Sequence, residues 1–97
     1  MRRDIGKAGA ETLAIILYRS PIGRAEIDRI RRVNSSFILR NLLIRGLIER
    51  TVEKSSTSFT ITPALLAYMG ITNSMELPNY ATFLDTLEKF EQENKDN

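Results

Sequence analysis

Residues 11–49 read ETLAIILYRSPIGRAEIDRIRRVNSSFILRNLLIRGLIE. Apolar residues recur at three- and four-residue spacing in three short segments, which indicates three amphipathic helices. Ser20-Pro21 separates the first from the second, because proline removes a backbone donor and disfavours helix in the residue before it. Gly46 ends the third, since glycine readily adopts the left-handed conformation, and the alternating stretch that follows predicts a strand. Three helices followed by a strand is the order of a helix-turn-helix that runs into a wing.

The flanking sequence extends this order on both sides. The predicted helices span about residues 7–18, 23–32, 35–45, 63–69 and 80–93, and the predicted strands span residues 47–52 and 58–62. Asn34 or Ser35 caps the third helix, and Thr62-Pro63 opens the fourth with a cap residue and a proline at the first helical position. The buried side predicted for the second helix consists of Ala25, Ile27 and Ile30. The polar residues 53–57 link the two strands as a short wing.

The fold predicted from this order is mainly α with a small β-hairpin, a winged helix-turn-helix plus a C-terminal helix. Residues 1–78 form the winged-helix domain, and residues 79–97 form an amphipathic helix with a frayed tail. The apolar stripe of that helix consists of Phe83, Leu84, Leu87 and Phe90, which is too apolar to be left in water. We therefore expect this stripe either to join the core or to occupy the place where a partner helix would dock.

The composition of the 97 residues argues against an enzyme. The chain has no Cys and no His, which removes thiol nucleophiles, imidazole bases, disulfides and the usual zinc ligands. Paired carboxylates such as Glu88 and Glu91 have the spacing of a solvated helix face, and the glycines form no phosphate-binding loop. We expect no catalytic residues, no metal and no cofactor. Neither a signal peptide nor a membrane-spanning run is recognisable, so a cytoplasmic protein is expected.

Charge is distributed unevenly along the chain. The formal net charge is only +2, but residues 1–50 hold eleven Lys and Arg against five Asp and Glu, and the remaining residues hold three against seven. Such an asymmetry favours a nucleic-acid face on one half or a partner with a complementary gradient. Arginines that merely keep a helical surface soluble give the same asymmetry, so charge alone does not separate these interpretations.

At this level of detail residues 7–78 resemble a known family. The stretch 11–49, together with ITPALLAYMGITNSMELP at 61–78, resembles the C-terminal winged-helix domain of segregation and condensation protein B, ScpB. Three departures stand out. Gly23 occupies the place of a capping Thr, Arg32 replaces a Gly, and the wing is shorter than in the family.

The resemblance implies an accessory subunit of a bacterial SMC complex that acts in chromosome condensation and segregation. In that family the subunit is not an enzyme and binds the kleisin, segregation and condensation protein A (ScpA), which bridges the SMC ATPase heads. A complete member has two winged-helix domains in tandem, and the first mediates homodimerisation. This chain corresponds to the second, so a homodimer is expected only if an N-terminal winged helix is present. The expected location is the cytoplasm, at the nucleoid, with no membrane contact and with DNA contacted weakly or indirectly.

The third helix allows a physical test of partner type. At about 100° per residue, Ile38, Leu39, Leu42 and Leu43 share the side that faces the core. The opposite side carries Phe37, Arg40, Asn41 and Ile44, on the face that a DNA reader would lay in the major groove. Arg40 and Asn41 suit contacts with base edges, whereas the large apolar side chains of Phe37 and Ile44 would displace such polar contacts. A mixed apolar and Arg surface is typical of protein interfaces. The alternative is that Phe37 packs under the wing or the last helix.

A DNA-binding transcriptional regulator remains the alternative function. The arginines that could contact phosphates are Arg29, Arg31, Arg32, Arg40 and Arg45. A wing with Lys54 offset by Glu53 argues against strong binding.

The first helix carries a second surface for the kleisin. Thr12, Ile15 and Arg19 lie to one side of its core stripe, and Tyr18 projects near the turn. An exposed patch of Ile15, Tyr18 and Arg19 would suit a kleisin helix lying alongside. The alternative is that Ile15 and Tyr18 complete the core.

Overall fold

The computed structural model describes residues 5–70 and 87–93 and confirms the predicted fold class. In chain order the elements are α1 (Gly6–Arg19), α2 (Arg24–Arg31), α3 (Ser36–Ile44), β1 (Ile48–Glu53), β2 (Ser56–Ile61) and α4 (Pro63–Met69). Residues 87–93 are also helical, which agrees with the end of the predicted last helix. Its predicted start and the side chains of Phe83 and Leu84 lie outside the described residues. Each observed helix begins and ends within about two residues of its prediction.

One hydrophobic core joins all of these elements. Its largest fully buried side chains include Leu13, Ile16, Ile27, Leu42, Leu47, Ile48 and Leu65. From α2, Ile27 is buried and Ile30 is half-buried against the core. The prediction that Ala25 is also buried was wrong, because Ala25 is exposed. A residue two positions before Ile27 lies about 200° around the helix from it, on the opposite side.

Side-chain hydrogen bonds fix the turn between α2 and α3. The Asp28 carboxylate accepts a 2.8 Å hydrogen bond from the buried Ser35 N–H. The Arg31 guanidinium donates to the Ser35 hydroxyl at 2.9 Å. Asn34, one of the two predicted capping residues, accepts from the Ser36 N–H at 2.8 Å. Arg32 ends α2 with a φ of 64°, in the left-handed region where glycine is favoured. These contacts set the position of α3 relative to α2.

The wing is a tighter and longer hairpin than the sequence predicted. The strands pair antiparallel from Ile48 with Ile61 to Glu53 with Ser56, so only Lys54 and Ser55 form the turn. The predicted five-residue linker was therefore wrong, since its outer residues belong to the strands. The outer residues of the hairpin carry polar side chains on both faces, so they lack the apolar–polar alternation by which a strand is recognised in sequence. Their backbone groups are nevertheless satisfied by pairing across the hairpin.

A third backbone segment joins the wing. Ile22 forms an isolated antiparallel bridge with Phe59, and the two residues exchange hydrogen bonds of 3.2 and 2.8 Å. Both side chains are buried. The link from α1 to α2 therefore anchors the base of the hairpin.

The C-terminal helical segment, residues 87–93, packs on the same body. Leu87 and Phe90 are buried in the core, and the Phe90 ring meets the Tyr68 ring of α4 edge to face at 5.4 Å. Glu91 forms a 3.1 Å ion pair with Arg45 at the end of α3. As predicted, Thr62 caps α4, accepting a hydrogen bond from the Leu65 N–H at 3.3 Å. For the described part of the last helix, the apolar stripe joins the core.

Candidate partner-binding surface

The outward face of α3 exposes two large apolar side chains. Phe37 is 80% exposed and Ile44 is 74% exposed, while Leu39 and Leu42 on the inner face are buried. Arg40 lies exposed between them, and Asn41 is half-buried. The predicted division of this helix into two faces is confirmed, and the alternative in which Phe37 packs under the wing or last helix was wrong. Phe37 and Ile44 are two turns apart, or about 10 Å along the axis.

A groove runs beside this face, between α3 and the wing. Its floor consists of Leu39, Leu43 and Phe59, of which Leu39 and Phe59 are buried. Its rim is formed by Arg24, Ser36, Arg40, Ile44 and Arg50. Arg40 and Ile44 were predicted for this face from the sequence, whereas Arg24 and Arg50 were not. The register explains Arg50, because it pairs directly opposite Phe59 across the hairpin.

Two of the three rim arginines have side chains without a partner in the described part of the chain. The side chains of Arg40 and Arg50 make no hydrogen bond or ion pair with any other residue in 5–70 or 87–93. Arg24 donates to the Ser36 hydroxyl at 2.8 Å and lies 3.4 Å from the Asp28 carboxylate. We call Phe37 together with this groove the α3–wing surface. It combines an apolar centre with unneutralised positive charge.

The predicted phosphate-contacting strip is only partly available. Arg45 is ion-paired with Glu91, and only 19% of its side chain is exposed. Arg31 donates to Ser35, and Arg29 contacts Glu26 on its own helix. Arg32 is exposed beside the left-handed turn. Of the five arginines proposed for nucleic acid, Arg40 and Arg32 thus remain on the open surface with no such engagement.

The second predicted surface lies between α1 and α2. Ile15 is half-buried and packs against the core, which agrees with the alternative given for that residue. The placement of Thr12 outside the core stripe was wrong, because Thr12 is fully buried and its hydroxyl donates to the Ala8 carbonyl at 2.8 Å. Tyr18 is 52% exposed, so it does not complete the core, and Arg19 is exposed. We call the groove lined by Glu11, Ala14, Ile15, Tyr18, Arg19, Ile30, Arg31 and Val33 the α1–α2 surface. It shares no residue with the α3–wing surface.

The described residues offer no assembly suited to metal chemistry. No group of three acidic, His or Cys side chains comes together within residues 5–70 and 87–93. Over the same residues, no helix combines the length and apolar character needed to cross a bilayer. On the described part of the chain, the α3–wing surface and the α1–α2 surface remain as candidate sites, each with a lining of apolar and charged side chains.

Comparison with known proteins assigns a family to this arrangement. A family model described as "Segregation and condensation complex subunit ScpB" matches residues 1–80. Segregation and condensation protein B of Lactobacillus delbrueckii is 37% identical over 90 residues, which are 89% of this chain and 45% of that protein. Its counterpart in Geobacillus kaustophilus is 41% identical over 85 residues, covering 84% of this chain and 39% of that protein. The chain thus spans less than half the length of these curated relatives.

A solved structure supports the same assignment. The crystal structure of ScpB from Mycobacterium tuberculosis matches with a TM-score of 0.66 at 35% sequence identity. The match covers 73% of this chain and 46% of that one.

Proposed function

This chain belongs to the family of the segregation and condensation complex subunit ScpB, and from that membership we propose that it is a non-enzymatic accessory subunit of a bacterial SMC–kleisin complex. In this role it binds the kleisin ScpA, and through it SMC, in chromosome condensation and segregation. It acts in the cytoplasm at the nucleoid, and its contact with DNA is weak or indirect.

One observation carries the choice of a protein partner. Phe37 and Ile44 stand exposed on the α3 face that a DNA-reading winged helix would present to bases. Base edges and phosphates offer these side chains little apolar area to match. A protein segment can bury both, and full burial of each side chain stabilises a complex by about 1.5–3 kcal/mol before the entropic costs of association.

The α3–wing surface also indicates the character of the kleisin segment. Its floor of Leu39, Leu43 and Phe59 suits apolar side chains, and the arginines at its rim can donate hydrogen bonds to carboxylates. An amphipathic helix with acidic residues beside its apolar stripe would satisfy both requirements. Central aromatic and arginine residues often dominate the binding energy of such contacts.

Calorimetric titration with the central segment of the kleisin from the same genome tests this proposal. Phe37→Ser and Ile44→Ser should each weaken binding by about thirtyfold, as expected for residues at the centre of an interface. Val33→Ser is the matched control, because Val33 is a 51% exposed apolar residue on the α1–α2 surface. Circular dichroism should show that all three variants remain folded. Wild-type binding by both α3 variants would refute the assignment, as would an absence of heat from the folded wild-type chain.

A DNA-binding regulator is the second candidate, because Arg40 and Arg50 lack partners among the described residues and lie on α3 and the wing. Direct DNA binding predicts an affinity that falls steeply with salt concentration. A gel-shift series at two salt concentrations measures it. Tight binding at low salt, lost in an Arg40→Ala, Arg50→Ala double variant, would favour this candidate, whereas the absence of any shift would eliminate it.

A further inference from the structure

The outer face of α1 carries opposite charges on the two sides of an apolar centre. Glu11, Ile15 and Arg19 follow one another at intervals of four residues, so they form one ridge along the helix. Glu11 and Arg19 are exposed, and Ile15 is half-buried between them. With a rise of about 1.5 Å per residue, each charge lies about 6 Å from Ile15 along the axis.

The apolar groove beside this ridge is continuous past Ile15. One depression includes Glu11 and another includes Arg19, and both are lined by Ala14, Ile15 and Ile30. Val33 and Tyr18 are each about half exposed at opposite ends, beside Glu11 and Arg19 respectively. Along the ridge the apolar middle is therefore flanked by Glu11 at one end and Arg19 at the other, and Arg31 also lines the groove near Glu11.

This distribution is complementary to itself. A two-fold axis requires the same patch on both subunits, with each residue meeting the symmetry mate of another. If two α1 helices cross antiparallel at Ile15, Glu11 of each copy meets Arg19 of the other, and the apolar centres face each other. We propose that the α1–α2 surface is a docking site for a second copy of this chain, paired antiparallel through α1.

The contacts that Glu11 and Arg19 make within the chain leave both side chains available for this pairing. Glu11 has no hydrogen bond or ion pair within the described part of the chain. Arg19 lies 3.9 Å from Glu26, with 60% of its side chain exposed, and Glu26 is in closer contact with Arg29. Arg31, which lines the groove near Glu11, donates to the neutral Ser35 hydroxyl and keeps its positive charge. Arg19 can therefore exchange a long exposed contact for Glu11 of the second copy.

This pairing differs from the homodimer that the family resemblance assigns to an N-terminal domain, and it does not rest on the kleisin assignment. Because the two surfaces share no residue, a pair joined through α1 would leave both of its α3–wing surfaces free. A helix-pair contact lies at the small end of protein interfaces, below about 1,200 Å² in total, which is the range of transient association.

Charge exchange between two variants tests the proposal. Glu11→Lys makes both ends of the ridge basic, and Arg19→Glu makes both acidic. Each variant alone should self-associate about tenfold more weakly than the wild-type chain, because each reversal turns two symmetric attractions into repulsions. An equal mixture of the two should associate at least as strongly as wild type, since every contact is then between opposite charges. Sedimentation velocity over a wide concentration range measures all three samples.

A variant of the other surface serves as the control in the same sedimentation experiment. The Phe37→Ser, Ile44→Ser double variant should associate like wild type, whatever its effect on kleisin binding. A wild-type chain that stays monomeric throughout, single variants that associate normally, or a mixture that fails to recover association would each overturn the proposal. If the kleisin segment dissociated the pair, and if Val33→Ser abolished kleisin binding, the α1–α2 groove would be the site of the kleisin and not of a second copy.

Discussion

The α3–wing surface and the α1–α2 surface expose similar residue types in opposite arrangements. On α3 the apolar side chains of Phe37 and Ile44 project into solvent near Arg40 and Arg50, whose side chains have no counterion among the described residues. On α1 the apolar centre at Ile15 is partly sunk into the body, and its flanking charges have opposite signs. The first arrangement is incomplete without a partner of different composition, whereas the second can be completed by another copy of itself.

The difference shows that charge order can separate partner types when apolar content does not. A surface with one sign of charge repels a second copy and attracts an acidic segment. A surface with both signs, placed symmetrically about an apolar centre, is suited to two-fold pairing. Net charge of the whole chain, only +2, conceals this distinction.

Removing a core side chain from α3 should have the largest effect on stability. Leu42 is fully buried on the inner face, so Leu42→Ala should lower the free energy of unfolding by about 2–5 kcal/mol. Phe37→Ser on the outer face should change it by less than about 0.5 kcal/mol. Urea unfolding followed by circular dichroism measures both. Comparable losses from the two substitutions would mean that Phe37 is structural and would remove the basis for a partner-binding face.

Loss of the Asp28 carboxylate should have an intermediate effect. Asp28→Ala leaves the N–H of the buried Ser35 without its acceptor, which should cost about 1–3 kcal/mol. Asp28→Asn is the matched control, because an amide oxygen can still accept this hydrogen bond. Because α2 contributes residues to both surfaces and α3 to one of them, the turn between these helices positions both surfaces. Thermal melts of the two variants measure how much this turn contributes to stability. An unchanged melting temperature for Asp28→Ala would show that it does not.

Relief of backbone strain at Arg32 should have the smallest effect and the opposite sign. Arg32 adopts a φ of 64°, which glycine reaches without a Cβ clash. Arg32→Gly should therefore stabilise the chain by about 0.5–1 kcal/mol, with neither kleisin binding nor self-association altered. Arg32→Ala removes the charge but keeps the Cβ, so it should not reproduce the gain. Stabilisation by alanine equal to that by glycine would point to charge instead of strain.

Local sequence signals were sufficient for most of the fold. The Thr62-Pro63 start of α4, the glycine after α3 and the two faces of α3 depend on spacing and capping within one element, and the structure confirms each. Arg32 is a case in which the residue type does not match the local backbone conformation. The family pattern has glycine there, and the left-handed φ explains why that residue type is suited to the position.

Features that join distant segments were not predictable in this way. The bridge between Ile22 and Phe59 depends on two residues brought together only by the folded body. Arg24 and Arg50 reach the α3–wing groove from α2 and β1, so no periodicity within α3 indicates them. Ala25 was wrongly predicted to be buried, because a small apolar residue is tolerated on either side of a helix. The burial of Ile27 sets the orientation of α2 and leaves Ala25 on the exposed side.

If the proposal is right, the kleisin binds the α3–wing surface and leaves the α1–α2 surface free. Two-dimensional ¹H–¹⁵N NMR of this chain, titrated with the central kleisin segment, maps the contact directly. We expect shifted amide resonances along α3 and β1, with those of Ala14, Ile15 and Tyr18 unchanged. Shifts confined to α1 and α2, with α3 unaffected, would contradict it.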